Sequence, residues 1–246
     1  MNLSSFSLGS SSVKKLAKSL SPRSIYRRLF KSGEEIRIPN IWGDRDVEYS
    51  FLVGYLPSSG GKALDFGSFG SYVPLMLAQR GYEVVAMDRQ TMEFFWVHPR
   101  VRLLQADILE NDLDWNEHFD LITNISSIEH VGLAGRYGVK KDCPEGDLLA
   151  MRKLRDWLKK GGIHILTVPV GRDAVFSPLA RVYGEKRLPM LLEGYTLLHE
   201  EYWAKPGRDN KWYPVEKKYA LSYQAEVEKW SPGGNIYALG CFLLQK

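Results

Sequence analysis

The stretch LDFGSFGSY, residues 64–72, joins an apolar run to an acid and then to two glycines three residues apart. The segment KALDF (62–66) predicts a buried strand, and SYVPLMLAQRG (71–81) predicts a helix directly after it. Ser71 is the expected N-cap, Pro74 fits the first turn, and Gly81 is expected to end the helix. The stretch therefore predicts either a simple tight turn or a turn whose backbone approaches a bound nucleotide.

Short apolar runs continue to alternate with helical segments along the chain. Further strands are predicted at YEVVAMD (82–88), VRLLQAD (101–107), FDLITNIS (119–126) and IHILTVPVG (163–171), with a helix at GDLLAMRKLRDWLKKGG (146–162). Two more strands are predicted at 195–203 and 235–246, with a short helix at 185–194 and an aromatic hairpin or helix between those strands. This order predicts an α/β fold: a Rossmann-like, doubly wound, mostly parallel seven-stranded sheet with helices on both faces.

Length and composition favour one soluble domain. The chain has 246 residues, of which 44% are hydrophobic and 25% charged, as in ordinary globular proteins. Cys143 and Cys241 alone offer no disulfide framework and no cysteine-based zinc site. Without a membrane-length apolar run or a secretory signal, a cytoplasmic location is expected.

The positive charge is concentrated at the N-terminus. Residues 1–33 contain seven lysines and arginines and no acid, whereas the whole chain has a net charge of +4. Apolar residues interleave with these charges over residues 13–31, which predicts either a basic amphipathic helix that contacts a membrane surface or an anionic partner, or a solvated or packed extension. Residues 1–45 are therefore treated as a basic N-terminal extension and residues 46–246 as the main domain.

Polar side chains stand at the carboxyl ends of the first four predicted strands. They are Asp65, Asp88, Asp107 and Asn124. In open α/β sheets ligands bind outside these strand ends, near the point where the strand order reverses. Asp88 follows Gly67 by about 20 residues, the spacing at which an acid accepts the hydroxyls of an adenosine ribose. Asp107 could accept from an adenine amine; the alternative is that these acids are helix caps or solvated loop residues.

These segments resemble the successive motifs of class I S-adenosylmethionine-dependent methyltransferases over residues 61–171. The resemblance extends to about residue 203 through SSIEHVGLAGRYG, the EGDLLAMRKL helix and RVYGEKRLPMLLEGY, which look like a little-characterised branch of that superfamily. It implies a cofactor half over 61–171 and a substrate-side part over 172–246. In the family's D-x-G-x-G-x-G turn this chain has Phe69 and Ser71 in place of two glycines.

The resemblance implies the following roles for S-adenosylmethionine binding. Asp65 and Gly67 would line the methionine moiety, Asp88 the ribose, and Asn124 the sulfonium side. Asp107 and Ile108 would contact the adenine. The predicted cofactor set is completed by the neighbouring residues Ser68, Phe69, Gly70 and Arg89.

Candidate catalytic and substrate residues follow the fourth and fifth strands. His130 is the expected general base for a hydroxyl acceptor, with Glu129 beside it; alternatively the two residues cap a helix or pin the loop. Segment 131–146 is rich in glycine and charge, as in a mobile lid, although it could be only a long connection. The predicted substrate contacts are Arg136, Tyr137, Arg181 and Tyr183.

A metal is not expected to be essential. Ubiquinone-pathway O-methyltransferases, which belong to the family that this chain resembles, have at this place an E-x-x-E-H segment that is associated with a divalent ion. This chain reads Ser126-Ser127-Ile128-Glu129-His130, so one carboxylate ligand is missing.

The sequence thus predicts O-methylation of a small molecule or a sugar or glycan hydroxyl. Three alternatives stay open. A nicotinamide-dependent oxidoreductase would also use Asp88, but the first turn lacks its glycine pattern. A nucleic-acid methyltransferase would suit the basic arm, but Asn-Ile-Ser-Ser at 124–127 is not the N-P-P-Y type, so a nucleic-acid partner is not expected. A non-catalytic nucleotide-binding domain would fit the altered glycine turn.

Overall fold

The computed structural model describes residues 43–58, 60–94, 96–207, 211–227 and 235–246. The predictions for the basic N-terminal segment lie outside these residues. In chain order the described elements are α1 (Asp44–Tyr55), β1 (Gly61–Phe66), α2 (Val73–Gln79), β2 (Tyr82–Asp88), β3 (Val101–Gln105), β4 (Phe119–Ile125), α3 (Gly146–Trp157), β5 (Leu158–Val170), β6 (Ala174–Phe176), β7 (Ala180–Val182), α4 (Arg187–Leu191), β8 (Thr196–Lys205), β9 (Tyr213–Pro214), α5 (Lys217–Ser222) and β10 (Tyr237–Gln245). A 3₁₀ turn, Ile128–His130, follows β4.

The central sheet has the order β3-β2-β1-β4-β5-β10-β8-β9. Its first five strands are mutually parallel, and β10 runs antiparallel to both β5 and β8. The predicted mostly parallel, doubly wound sheet is confirmed, with eight strands instead of seven because the two-residue β9 adds an edge. The strand order reverses between β1 and β4, so a ligand site is expected outside the carboxyl ends of those two strands.

Alternate residues of the central strands pack into two cores on opposite faces of the sheet. On β1, Ala63 belongs to the core beneath α1 and α2, whereas Leu64 belongs to the core beneath α3. Leu121 and Ile122 on β4 divide in the same way. Side chains of a strand point to opposite faces in turn, so strands covered by helices on both sides are apolar throughout.

The end of α2 lies where the sequence predicts it, whereas the end of α3 does not. Helix α2 begins at Val73, with Tyr72 and not the predicted Ser71 at the N-cap position, although the N–H of Val73 donates to Ser71 Oγ at 3.0 Å. Gly81 lies just past the end of this helix, as predicted, with φ +91°. Helix α3 ends at Trp157, before the predicted stop at 161–162. The chain becomes extended at Leu158 because this residue pairs with Phe119 at the start of β4.

Among the described residues, no helix is long and apolar enough to cross a membrane.

Candidate functional site

The β1–α2 turn passes close to the loop that follows β4. Gly67 has φ +80°, and a Cβ at this position would overlap the Ser127 side chain. The N–H groups of Gly67 and Ser68 both donate to the carbonyl of Met87, at 2.9 and 3.1 Å. A glycine is therefore needed at position 67 both for the backbone conformation and for the close approach.

Asp65 shapes this turn from beneath. Its Oδ2 accepts from Ser68 Oγ at 2.5 Å and its Oδ1 accepts from Thr123 Oγ1 at 2.7 Å. Burial raises the pKa of Asp65 to about 6, although both hydrogen bonds oppose the rise. Asp65 and Ser68 are buried, and neither they nor Gly70 line the adjacent cleft. These three predicted cofactor contacts hold or form the turn itself.

Asp88, at the end of β2, lines the cleft. Its Oδ2 accepts from the N–H of Phe69 at 3.0 Å, and its Oδ1 accepts from the N–H of Gln90 at 2.8 Å. Burial raises the pKa of this carboxyl, and hydrogen bonds from backbone N–H groups oppose the rise. The carboxylate is thus held in one orientation, and each oxygen has a further lone pair for a ligand hydroxyl.

Asp107 and Arg89 form an ion pair at the same edge of the sheet. Arg89 Nε lies 2.5 Å from Asp107 Oδ2, and Asp107 Oδ1 accepts from the N–H of Leu109 at 2.9 Å. Arg89 also donates through Nη1 to the carbonyl of Tyr137, so its side chain joins the strand edge to segment 131–146. An adenine amine would be an additional donor to a carboxylate that already has two.

The cleft therefore brings together part of the predicted cofactor set. It encloses about 800 Å³, counting the space open to solvent, and is bounded by β1, β2, the end of β3 and the loop after β4. Of the predicted cofactor residues, the cleft is lined by Gly67, Phe69, Asp88, Arg89, Asp107 and Ile108.

Asn124 lies behind the cleft. Its side chain is fully buried, its Oδ1 accepts from the N–H of Ile128 at 3.3 Å, and its Nδ2 has no hydrogen-bond partner among the described residues. In this position Asn124 fixes the 3₁₀ turn that carries Glu129 and His130.

His130 lines both the cleft and a second cavity next to it. Its Nε2 lies 3.5 Å from Glu129 Oε1, and its Nδ1 lies 3.5 Å from Arg136 Nη1. Burial, together with the charge of Arg136, lowers the pKa of His130 to about 3. The imidazole is therefore neutral at physiological pH, with a nitrogen lone pair available.

Glu129 is buried in the wall of the second cavity. Its Oε2 has no hydrogen-bond partner among the described residues. Burial raises the pKa of Glu129 to about 8, and the negative charge of Glu48 adds to the rise. Glu129 is therefore predominantly an uncharged carboxylic acid at neutral pH.

Segment 131–146 and α1 close the second cavity. Arg136 Nη1 donates to the carbonyl of Leu179 at 2.6 Å, and its guanidinium lies 4.4 Å from the centre of the Tyr137 ring. The predicted substrate residues Arg136 and Tyr137 both line this cavity, and Tyr137 also reaches the cleft.

The other two predicted substrate residues do not line either space. Arg181 is 1% exposed and donates to the carbonyls of Val131 at 2.6 Å and Cys143 at 3.2 Å. Tyr183 is fully buried and donates to Asp147 Oδ2 at 3.0 Å. Both side chains are buried supports: Arg181 attaches segment 131–146 to β7, and Tyr183 bonds to α3 through Asp147.

Among the described residues, no group of three or more His, Cys, Asp or Glu side chains could hold a metal ion.

A family model described as "Caenorhabditis protein of unknown function, DUF268" matches residues 65–207. The chain belongs to this family. The matched region of this DUF268 protein runs from the buried Asp65 to just past the end of β8, and so includes all the predicted site residues. No protein of curated function matches the chain in sequence.

Several solved methyltransferase structures have the same fold as this DUF268 chain. The 1,6-didemethyltoxoflavin-N1-methyltransferase of Burkholderia thailandensis, bound to 1,6-didemethyltoxoflavin and S-adenosylhomocysteine, is 14% identical with a TM-score of 0.51, covering 99% of this chain and 93% of that one. An S-adenosylmethionine-dependent methyltransferase from Mesorhizobium loti is 12% identical with a TM-score of 0.52, covering 81% of this chain and 97% of that one. The resemblance to class I S-adenosylmethionine-dependent methyltransferases is thus confirmed at the level of the fold.

Sequence reasoning missed two residues of this DUF268 site, Arg45 and Glu48 on α1. Arg45 lines both the cleft and the second cavity and forms an ion pair with Glu48. Glu48 is fully buried and accepts from the hydroxyls of Ser126 and Thr167, which joins α1 to the ends of β4 and β5. The predicted domain start at residue 46 falls inside this helix. The sequence signal for helix α1 was weak, because only Asp44 and Asp46 in its first turn indicate a helix start.

Proposed function

We propose that this protein is an S-adenosylmethionine-dependent methyltransferase that methylates a hydroxyl group of a small molecule or glycan. One observation carries the proposal: the cleft at the strand ends and the second cavity meet at His130, which lines both. Such an arrangement, a cofactor site and an acceptor site that share a neutral imidazole, suits base-assisted transfer to a hydroxyl. The common fold with known methyltransferases supports the methyltransferase part of the proposal.

The chemistry of the cleft fits S-adenosylmethionine. The wall carries Arg45, a cation suited to the carboxylate of the methionine moiety, and Asp88, an acceptor suited to ribose hydroxyls. Ile108 offers an apolar surface for the adenine, with Asp107 beside it. Asp65 and Asn124 would act indirectly, by holding the turn and the loop that form the walls.

When bound, this cofactor supplies an electrophilic methyl group: a carbon–oxygen bond to the acceptor forms as the carbon–sulfur bond breaks, which leaves S-adenosylhomocysteine and a methyl ether. The chain's own part is to align the hydroxyl, exclude water and take its proton. Alignment of two bound reactants can contribute about 7 kcal/mol or more. Tyr137 and Arg136, which line the second cavity, are candidates for aligning the acceptor.

We assign the proton acceptor to the imidazole of His130. Its low pKa keeps the ring neutral, so one ring nitrogen has a lone pair, but it also makes His130 a weak base. Glu129, 3.5 Å away, compensates once it loses its own proton, because a neighbouring carboxylate stabilises the imidazolium. The two residues therefore have different roles, since His130 receives the proton and Glu129 sets how readily it does so.

Two measurements test the proposal. Calorimetry with S-adenosylmethionine and with NADH distinguishes a methyltransferase from a nicotinamide enzyme; we expect micromolar or tighter binding of the former, and a preference for NADH would refute the assignment. Incubation with methyl-labelled S-adenosylmethionine and cellular extracts, followed by mass spectrometry, should reveal a product heavier by one CH₂. Label in RNA instead of a small molecule or glycan would favour the nucleic-acid alternative.

The base assignment has its own test. With an identified hydroxyl acceptor, His130→Ala should lower turnover by about 10² to 10⁴, the usual contribution of a general base. His118→Ala is the matched control because His118 directly precedes β4, at the end of that strand opposite to the cleft. Full turnover in His130→Ala would show that another group takes the proton.

A cytoplasmic location stays a prediction from the sequence.

A further inference from the structure

The second cavity contains a buried polar group that the fold itself does not satisfy. Glu129 is 2% exposed, and its Oε2 has no hydrogen-bond partner among the described residues. A buried polar atom without a partner costs about 1–3 kcal/mol, so such atoms are rare unless a ligand supplies the missing partner. Since Glu129 lines the cavity, a molecule bound there can supply it.

The charges around this carboxyl indicate what kind of partner it takes. Arg136 and Arg45 line the same cavity, and their positive charges act on both Glu129 and His130. The carboxyl of Asp44 also lines the cavity, but burial raises its pKa and so favours its uncharged form. An ammonium group in this cavity would be repelled by these guanidinium groups, whereas an anion would be attracted.

Glu129 itself is suited to an anion in the form that it adopts at neutral pH. Burial and the charge of Glu48 keep the carboxyl protonated, so Oε2 can carry a hydrogen and act as a donor. A hydrogen bond from a carboxylic acid to an anionic oxygen is short and strong. The arriving anion in turn favours the protonated form of Glu129 further.

We propose that the methyl acceptor carries an oxyanion, a carboxylate or a phosphate group, which binds in the second cavity between the guanidinium of Arg136 and Oε2 of Glu129. The inference rests on the proposed function and adds to it the chemical class of the acceptor: a hydroxyl compound with an acidic group close to the hydroxyl that is methylated.

The test uses the full chain saturated with S-adenosylhomocysteine and three small probes: inorganic phosphate, acetate and methylammonium. Calorimetry at constant ionic strength should give saturable one-to-one binding of phosphate or acetate, and no binding of methylammonium. The stronger of the two anions identifies the acidic group as phosphate or carboxylate. Binding of methylammonium in preference to both anions, or no saturable binding of either anion, would overturn the inference.

Variants locate the binding in the second cavity. Arg136→Gln should weaken binding of the anion at least tenfold, whereas Arg136→Lys, which keeps the charge but not the planar guanidinium, should weaken it less. The matched control is Arg152→Gln, at an exposed position on α3, which should leave the affinity unchanged. An equal effect of Arg136→Gln and Arg152→Gln would show that the anion binds elsewhere.

Glu129 gives an independent readout. Glu129→Gln keeps a hydrogen-bond donor and should retain anion binding, whereas Glu129→Leu, of similar size but without a donor, should weaken it about tenfold. Binding of S-adenosylhomocysteine to each variant serves as the control for folding and separates the two proposals. If S-adenosylhomocysteine does not bind to the unmodified chain, the proposed function fails; if it binds and the anions do not, only the acceptor class is wrong.

Discussion

At the scale of single residues, Asp88 differs from the other strand-end acids because it is the one whose carboxylate both lines the cleft and is held by backbone alone. Phe69 and Gln90 donate to its two oxygens, so its orientation is fixed before a ligand arrives. Asp107 is neutralised by Arg89, and Asp65 is buried beneath the turn. Asp88 is therefore expected to contribute most to the binding of a ribose.

Asp88→Ala should weaken the affinity for S-adenosylhomocysteine by about 1–3 kcal/mol, because a charged acceptor for the ribose hydroxyls is lost. Calorimetry measures the change. Glu83→Ala is a matched control, since Glu83 is exposed on the same strand. An affinity equal to that of the unmodified chain would refute the ribose role of Asp88.

Glu129 and His130 predict how turnover depends on pH. Glu129, with a pKa of about 8, loses its proton as the pH rises, and the new carboxylate strengthens His130 as a base. We therefore expect kcat to rise with pH, with a midpoint at or above about 8, because a bound oxyanion would favour the protonated acid. KM for the acceptor should rise over the same range as Glu129 ceases to be a donor.

In Glu129→Gln the side chain no longer ionises, so the pH dependence of kcat should disappear while the protein stays folded. Glu83→Gln, at the exposed second position of β2, should keep the dependence of the unmodified chain. A rise of kcat with pH that persists in Glu129→Gln would mean that a different group controls the base.

At the scale of elements, the β1–α2 turn depends on contact with the loop after β4. Gly67 and Gly70 both have positive φ angles, +80° and +69°, but only at Gly67 would a Cβ meet another side chain, that of Ser127. The two positions thus separate the cost of backbone conformation from the cost of crowding.

Gly67→Ala should destabilise the protein by about 2 kcal/mol or more. Gly70→Ala should cost about 1 kcal/mol, because at that position only the strain of the backbone conformation applies. The double variant Gly67→Ala/Ser127→Gly removes the overlapping side chain and should return close to the Gly70→Ala value. Denaturant unfolding measures the three free energies. Equal losses in Gly67→Ala and Gly70→Ala would contradict the close approach.

The helices and strands with a periodic apolar pattern could be predicted from the sequence, whereas their ends could be predicted less well. The bounds of β2 match the predicted 82–88, because a strand that is buried on both faces reads as one apolar run. The end of α3 was placed about one turn too late, because the pairing of Leu158 with Phe119 is a long-range contact that leaves no local pattern. Between the last two predicted strands, where the sequence left a hairpin or a helix open, the structure has both: β9 pairs with β8, and α5 follows.

In the candidate site, too, some residues could be predicted from the sequence and others could not. Residues at strand ends, such as Asp88 and Asp107, could be found because strand order alone brings them to one edge. Arg45 and Glu48 could not be found, since they reach the site only through the packing of α1 against β5 and β10. Arg181 was placed in the site by its charge, yet it is buried as a support for segment 131–146.

At the scale of the whole molecule, the cleft is formed by segments that are far apart in sequence. The β1–α2 turn, the end of β2, the loop after β4 and Arg45 on α1 all contribute to its walls. A ligand that contacts all four segments stabilises the folded chain and has no comparable site in the unfolded one. Binding in the cleft should therefore raise the stability of the entire domain and not only of one loop.

S-adenosylhomocysteine at about 100 times its dissociation constant should increase the free energy of unfolding by about 2.7 kcal/mol, since ΔG rises as RT ln(1 + [L]/Kd). For a chain of this size that corresponds to an increase in Tm of about 5–10 °C. NADH at the same concentration should leave Tm unchanged, and Asp88→Ala at that concentration of S-adenosylhomocysteine should show a smaller increase than the unmodified chain. Differential scanning calorimetry measures all three, and an equal increase with NADH would favour the nicotinamide alternative over a methyltransferase.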